Sequence, residues 1–244
     1  MKDIFKIEIL KLKNTKILLI VILAPIFMVA QGVINLIRYY DLFTGKGQNV
    51  WEQLYSQSMI FYASILFPIL VSIVMTLIAR IENTNNSWKH YLSLPIDKQK
   101  VYGIKFILGC LLVFINILVL IISMLAAGKI IGVKGNIPYK VIFTKPMVMY
   151  IAALPIMAIL YSLSIRFSHM AIPLGIGIGL TLPAIIVANS RYWILYPWTY
   201  PIMAALGGDM EIFSKGNIVY IVSFILLISV FGFGYSSFIK RDIA

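Results

Sequence analysis

Charge is what this sequence has least of. Only 12% of its 244 residues are charged, and nine of those are acidic. A soluble globular domain carries about a quarter charged residues and is about half apolar. Here 61% are hydrophobic and mean hydropathy is +0.93, which excludes a soluble domain and leaves a polytopic membrane protein. Cysteine is scarce too. Cys110 is the single one and sits in an apolar run, so no intrachain disulfide or thiolate cluster can form; it reads as a small buried hydrophobe. The two histidines, His90 and His169, lie in connections, and the absence of His-Glu-x-x-His excludes a metalloprotease of that class. Also missing is Gly-x-x-x-x-Gly-Lys-Ser/Thr. Lys46 in TGKGQ and Lys129 in AAGKI lack the flanking glycine and hydroxyl, so the chain has no nucleotide-phosphate loop of its own.

What is present is grease in span-length blocks. A hydrocarbon core of about 30 Å takes about 20 apolar residues per helix. Six runs qualify, near residues 17–37, 59–79, 104–128, 147–165, 171–190 and 217–238. Backbone groups in lipid must be satisfied internally, so the expected fold is all-α, one transmembrane domain over 1–244. The first run is too long for a signal peptide, and no Ala-x-Ala site follows it. With both termini placed in the cytoplasm, thirteen of the 21 Lys and Arg fall inside, which sets the orientation in the plasma membrane. The net charge of +12 is then a topology signal and an attraction to the lipid bilayer, not a nucleic-acid footprint. The stretch KIIGVKGNIPYKVIFTK, residues 129–145, resists this by putting four lysines outside.

Ion-coupled transport needs ionisable groups at membrane depth. No Asp, Glu, Lys, Arg or His lies near the middle of any run, so such a mechanism is excluded. The polar residues there read as interhelical glue, Asn116 foremost. Gly175, Gly177 and Gly179 contain one Gly-x-x-x-Gly, a spacing that lets helix backbones approach closely. Between the fifth and sixth runs stands RYWILYPWTYPIMAALGGDM, rich in aromatics but broken by Pro197, Pro201 and a glycine pair. It reads either as a re-entrant outer segment, with Tyr192, Trp193, Tyr196, Trp198 and Tyr200 at headgroup depth, or as an ordinary aromatic belt.

The loop after the second run, RIENTNNSWKHYLSLPIDKQK, is far longer than a plain link requires. Asn86 or Ser87 can cap a short helix that Pro95 ends, with Trp88, Tyr91 and Leu92 on one face and Lys89 on the other. Such a helix either lies in the membrane interface or anchors a cytoplasmic partner in a groove. Near the start, Phe5 and Leu12 share an apolar face on which Glu8 intrudes, and Lys11 is also out of place. Glu8 reads either as solvated or as paired with a lysine of the loop region.

Three features together resemble the permease subunits of type-2 ABC exporters: the basic start IFKIEILKLKNTK, the sequence Glu82…WKHYLSLP…IDKQKVYGIKF, and the aromatic, Pro-rich outer segment. Size and YPWTYP are most similar to the permeases of lantibiotic-immunity and bacitracin-resistance systems. The resemblance implies an N-terminal elbow helix (Phe5, Glu8, Leu12) and a coupling helix that contacts the ATPase through Glu82, Trp88, Lys89, Tyr91, Leu92, Leu94 and Pro95. It further implies ABC ATPase subunits that bind ATP and Mg while this chain binds no cofactor, a second permease (identical or paralogous), and export of an amphipathic or antimicrobial peptide. The competing expectation is a stand-alone helix bundle, channel-like or lipid-handling, with no ATPase.

Overall fold

Each apolar run satisfies its own backbone by coiling. A computed structural model describes residues 2–13, 15–45, 47–80, 98–167, 169–207 and 218–239. Its membrane-length helices are Ile17–Arg38, Val50–Arg80, Lys98–Ile130, Lys140–Arg166, Ala171–Ala188 and Ile218–Ile239, hereafter the first to sixth spans. A separate amino-terminal helix, Lys2–Lys13, precedes them.

Three spans start earlier than composition suggests. The second begins at Val50, where Asn49 caps it by accepting the Trp51 N–H at 2.9 Å. The third begins at Lys98, and the fourth at Lys140 with a π-helical turn, Lys140–Thr144. The lysines of 129–145 are thereby redistributed: Lys129 ends the third span and Lys140 and Lys145 stand in the first turns of the fourth. The Lys145 ammonium lies 5.5 Å from the Tyr55 ring centroid, so this charge has an aromatic face to rest on.

The fourth span is the hub, packed against the second, third, fifth and sixth. The first span lies on the second and third through Ile17, Val21, Pro25, Val29, Gly32 and Leu36, one face at helical spacing. At Gly32 the first and second spans nearly touch: a Cβ there would come within 2.8 Å of the Ser58 backbone. Gly32→Val should therefore force the two helices apart and lower stability by about 1–3 kcal/mol. A thermal unfolding curve of the detergent-solubilised protein measures this, and an unchanged melting temperature would refute the close packing.

Two prolines leave marks. Pro25 has no N–H, so the Val21 carbonyl one turn back lacks its helical donor. Asn116 of the third span supplies one, Nδ2 donating to Val21 O at 2.7 Å, while its Oδ1 accepts the Tyr62 hydroxyl. Asn116 is fully buried, and the interhelical bond expected of it is present. Pro68 is met by a π-helical turn, Tyr62–Leu66, in which the Phe67 N–H reaches back to Tyr62 O.

The close approach expected of the fifth-span glycines is made by Gly177. A Cβ there would collide with Ser72 and Leu160, whereas Gly175 and Gly179, the Gly-x-x-x-Gly pair, face open space within this chain.

Candidate functional site

The residues singled out for ATPase contact, Glu82, Trp88, Lys89, Tyr91, Leu92, Leu94 and Pro95, lie outside the described residues. Their two roots are described: Arg80 closes the second span and Lys98 opens the third. Arg80 Nη1 reaches Met170 Sδ at 2.8 Å, tying the first root to the turn before the fifth span.

The second root is clamped. Phe5, Glu8 and Leu12 do share one face of the amino-terminal helix, and that face points into the protein. Glu8 is 1% exposed and Leu12 4%, while Ile7 and Leu10 on the opposite side are exposed. Glu8 Oε2 accepts from Lys105 Nζ at 2.5 Å, and Oε1 accepts from Lys11 Nζ at 2.9 Å. The two charges that spoil the amphipathic pattern are thus partners. Of the two readings of Glu8, solvated or paired with a lysine, the structure has the pair: an inward Glu8 meets Lys105, which is 0% exposed. Lys105 is one of the thirteen cations that the charge count places on the cytoplasmic side. It stands two turns, about 10 Å, inside the third helix. The readable signal was a lysine within an apolar run, GIKFILG.

On its other side the same root is held by aromatics. The Tyr102 carbonyl accepts the Tyr161 hydroxyl at 2.8 Å. The Tyr102 ring lies 4.9 Å from that of Tyr161 and 5.2 Å from that of Phe238, centroid to centroid. The amino-terminal helix, the fourth span and the sixth span therefore all grip the first two turns of the third. Any displacement of that root is felt by three elements at once.

The outer segment is a second constellation. Ser190 caps a 3-10 turn, Arg191–Leu195, and a short helix follows, Thr199–Leu206, in which every residue is buried. The fifth span is interrupted at Leu180, between Ala171–Gly179 and Thr181–Ala188, where Pro183 cannot donate to the Gly179 carbonyl. The aromatics reach this break: Tyr196 OH donates to Leu180 O at 2.7 Å and Trp198 Nε1–H to Gly177 O at 3.2 Å. Tyr55 of the second span donates to Ala205 O at 2.9 Å. Trp193, Trp198, Tyr200 and Pro201 are covered by protein, Tyr196 and Pro197 are half-buried, and Tyr192 is exposed. Trp193, Trp198 and Tyr200 are thus wedged between helices, and Tyr196 and Trp198 donate to carbonyls on either side of the interruption.

Among the described residues no three His, Cys, Asp or Glu side chains gather as metal ligands would. What the constellations offer is mechanical: a clamped helix root at one end and a wedged aromatic segment at the other.

No curated protein matches this chain. A family model described as ABC-2 family transporter protein matches residues 4–184, from the amino-terminal helix into the second helix of the fifth span. That match covers the clamp, the second-to-third connection, four spans and most of the fifth, and on it the chain belongs to the ABC-2 transporter family, as a multi-pass membrane component and not a catalytic subunit.

Proposed function

We propose that this permease is driven by a separate ABC ATPase seated on the 84–95 segment, and that it expels an amphipathic or antimicrobial peptide from the bilayer. Both termini and the 84–95 segment lie in the cytoplasm, the amino-terminal helix acts as an elbow, and residues 191–207 form a re-entrant outer segment. A second permease, identical or paralogous, completes the path, since six helices alone make a thin wall.

The observation that carries this reading is the buried Glu8–Lys105 pair beside the family match. A stand-alone bundle gains nothing from a charged lock just above a long polar loop. A driven subunit needs one, because a push on the loop must move the third span and the amino-terminal helix together. An uncharged, greasy interior suits an amphipathic cargo better than an ion.

The test is co-purification. The chain is expressed with its genomic neighbours, extracted in mild detergent, and compared with Trp88→Ala/Tyr91→Ala. An ATPase should come down with the parent and be reduced at least tenfold with the double variant, whose gel-filtration profile stays that of the parent. A well-folded parent that recovers no nucleotide-binding protein would overturn the reading in favour of a stand-alone bundle.

A further inference from the structure

The sixth span is supported on one side. It rests mainly along the fourth, and its most apolar window is only 17% buried. Between the two helices lies a cavity of about 670 Å³, within the range of about 300–1,000 Å³ typical of small-molecule sites.

Its lining changes along its length. Toward the helix middles it is apolar, with Ile159, Val230 and Phe233. Where the fourth span stops, it ends at the exposed guanidinium of Arg166 beside Ser237. Away from Ser237 at the Arg166 end, the wall hydroxyls are already engaged: Ser229 donates to Ile225 O at 2.9 Å, and those of Tyr102 and Ser162 lie 3.3 Å apart. Such walls suit a chain without hydrogen-bonding groups and would leave a peptide backbone unsatisfied. One cationic end and one greasy end make the complement of an acidic amphiphile.

We propose that this cavity holds an anionic phospholipid, its phosphate at Arg166 and one acyl chain between Ile159, Val230 and Phe233. A guanidinium carries five N–H donors, so Arg166 can hold a phosphate together with its contacts inside the protein. Basic sites between helices near the cytoplasmic surface select acidic headgroups in this way, each cation contributing about fivefold in affinity. The site is independent of the ATPase and of the transported cargo.

Native mass spectrometry of the purified chain, supplied with phosphatidylglycerol or phosphatidylcholine, tests it. The parent should retain phosphatidylglycerol preferentially. Arg166→Gln, a change at an exposed position, should weaken that retention about fivefold and leave phosphatidylcholine unchanged, while Arg38→Gln at the far end of the first span should do nothing. Val230→Trp, which fills the chain slot, should retain neither lipid; if it fails to fold, Arg166→Gln decides alone. Equal phosphatidylglycerol retention by parent and Arg166→Gln overturns the proposal. So does displacement of the lipid by an equal concentration of inorganic phosphate, which would mean that the acyl chain contributes nothing.

Discussion

Glu8→Gln is expected to destabilise the protein by about 3–5 kcal/mol, because it removes the charge that Glu8 places 2.5 Å from the buried Lys105 ammonium. Lys105→Met alone should cost less, because the Glu8 carboxylate keeps Lys11 as a partner. Combining the two changes should return stability close to that of the parent, since replacing a whole buried pair by neutral groups is often neutral or better. Lys11→Ala separates burial from mere pairing. Lys11 holds the same carboxylate, but its side chain is 27% exposed, so its loss should cost less than about 1 kcal/mol. Recovery after heating, followed by gel filtration in detergent, ranks the four variants. Equal losses for the singles and the double would place the cost outside the ion pair. If the clamp couples the amino-terminal helix to the third span, the double variant should fold yet convert ATP hydrolysis by its partner into transport less efficiently.

Asn116→Leu is expected to cost about 1–3 kcal/mol. Interhelical hydrogen bonds in membranes average only about 0.6 kcal/mol, because loosened spans find other partners. Here one substitution strands two groups, the Val21 carbonyl and the Tyr62 hydroxyl, and the first has no helical donor because Pro25 follows four residues on. The double variant Asn116→Leu/Pro25→Ala should regain part of the loss, since a backbone N–H at position 25 can serve that carbonyl. Adding Tyr62→Phe should regain more by removing the second orphan. A melting series across the single, double and triple variants checks the order. If Pro25→Ala gives no recovery in the Asn116→Leu background, the proline is not the reason for the asparagine.

The six spans were legible because about twenty apolar residues in a row have few fates. The starts of the second, third and fourth were not, since a cap such as Asn49 or a π turn at Lys140 extends a helix through residues too polar to count as membrane. Glu8 shows the limit most plainly. Helical periodicity flagged it as a defect on the Phe5–Leu12 face; Lys11 is a local partner, but the buried one, Lys105, lies 97 residues away, beyond any local pattern. Asn116 was recognisable as an isolated polar group, yet its bond to Val21 depends on how two helices are aligned. The aromatics of 191–201 were read from composition, which assigns rings to headgroups. The burial of Trp193, Trp198 and Tyr200 depends on how the helices pack around them, which composition does not reveal. The glycine motif was visible too, but only packing tells that Gly177 is the contact while Gly175 and Gly179 are not.

The Val21–Asn116 and Glu8–Lys105 contacts have a bearing on how the chain is made. Asn116 lies 95 residues after Val21, and Lys105 lies 97 after Glu8. At about 5–20 residues per second on the ribosome, each waits roughly 5–20 s for its partner. Until the third helix emerges, the nascent chain holds a carboxylate lacking its buried partner and an uncapped carbonyl, so the first two helices have reason to stay loosely associated in the membrane. The third helix brings both missing partners within a dozen residues of each other and closes the amino-terminal half in a single event. A nascent chain arrested before residue 105 should therefore remain open to proteases and quality control, and one arrested well past residue 116, with that stretch clear of the insertion machinery, should not.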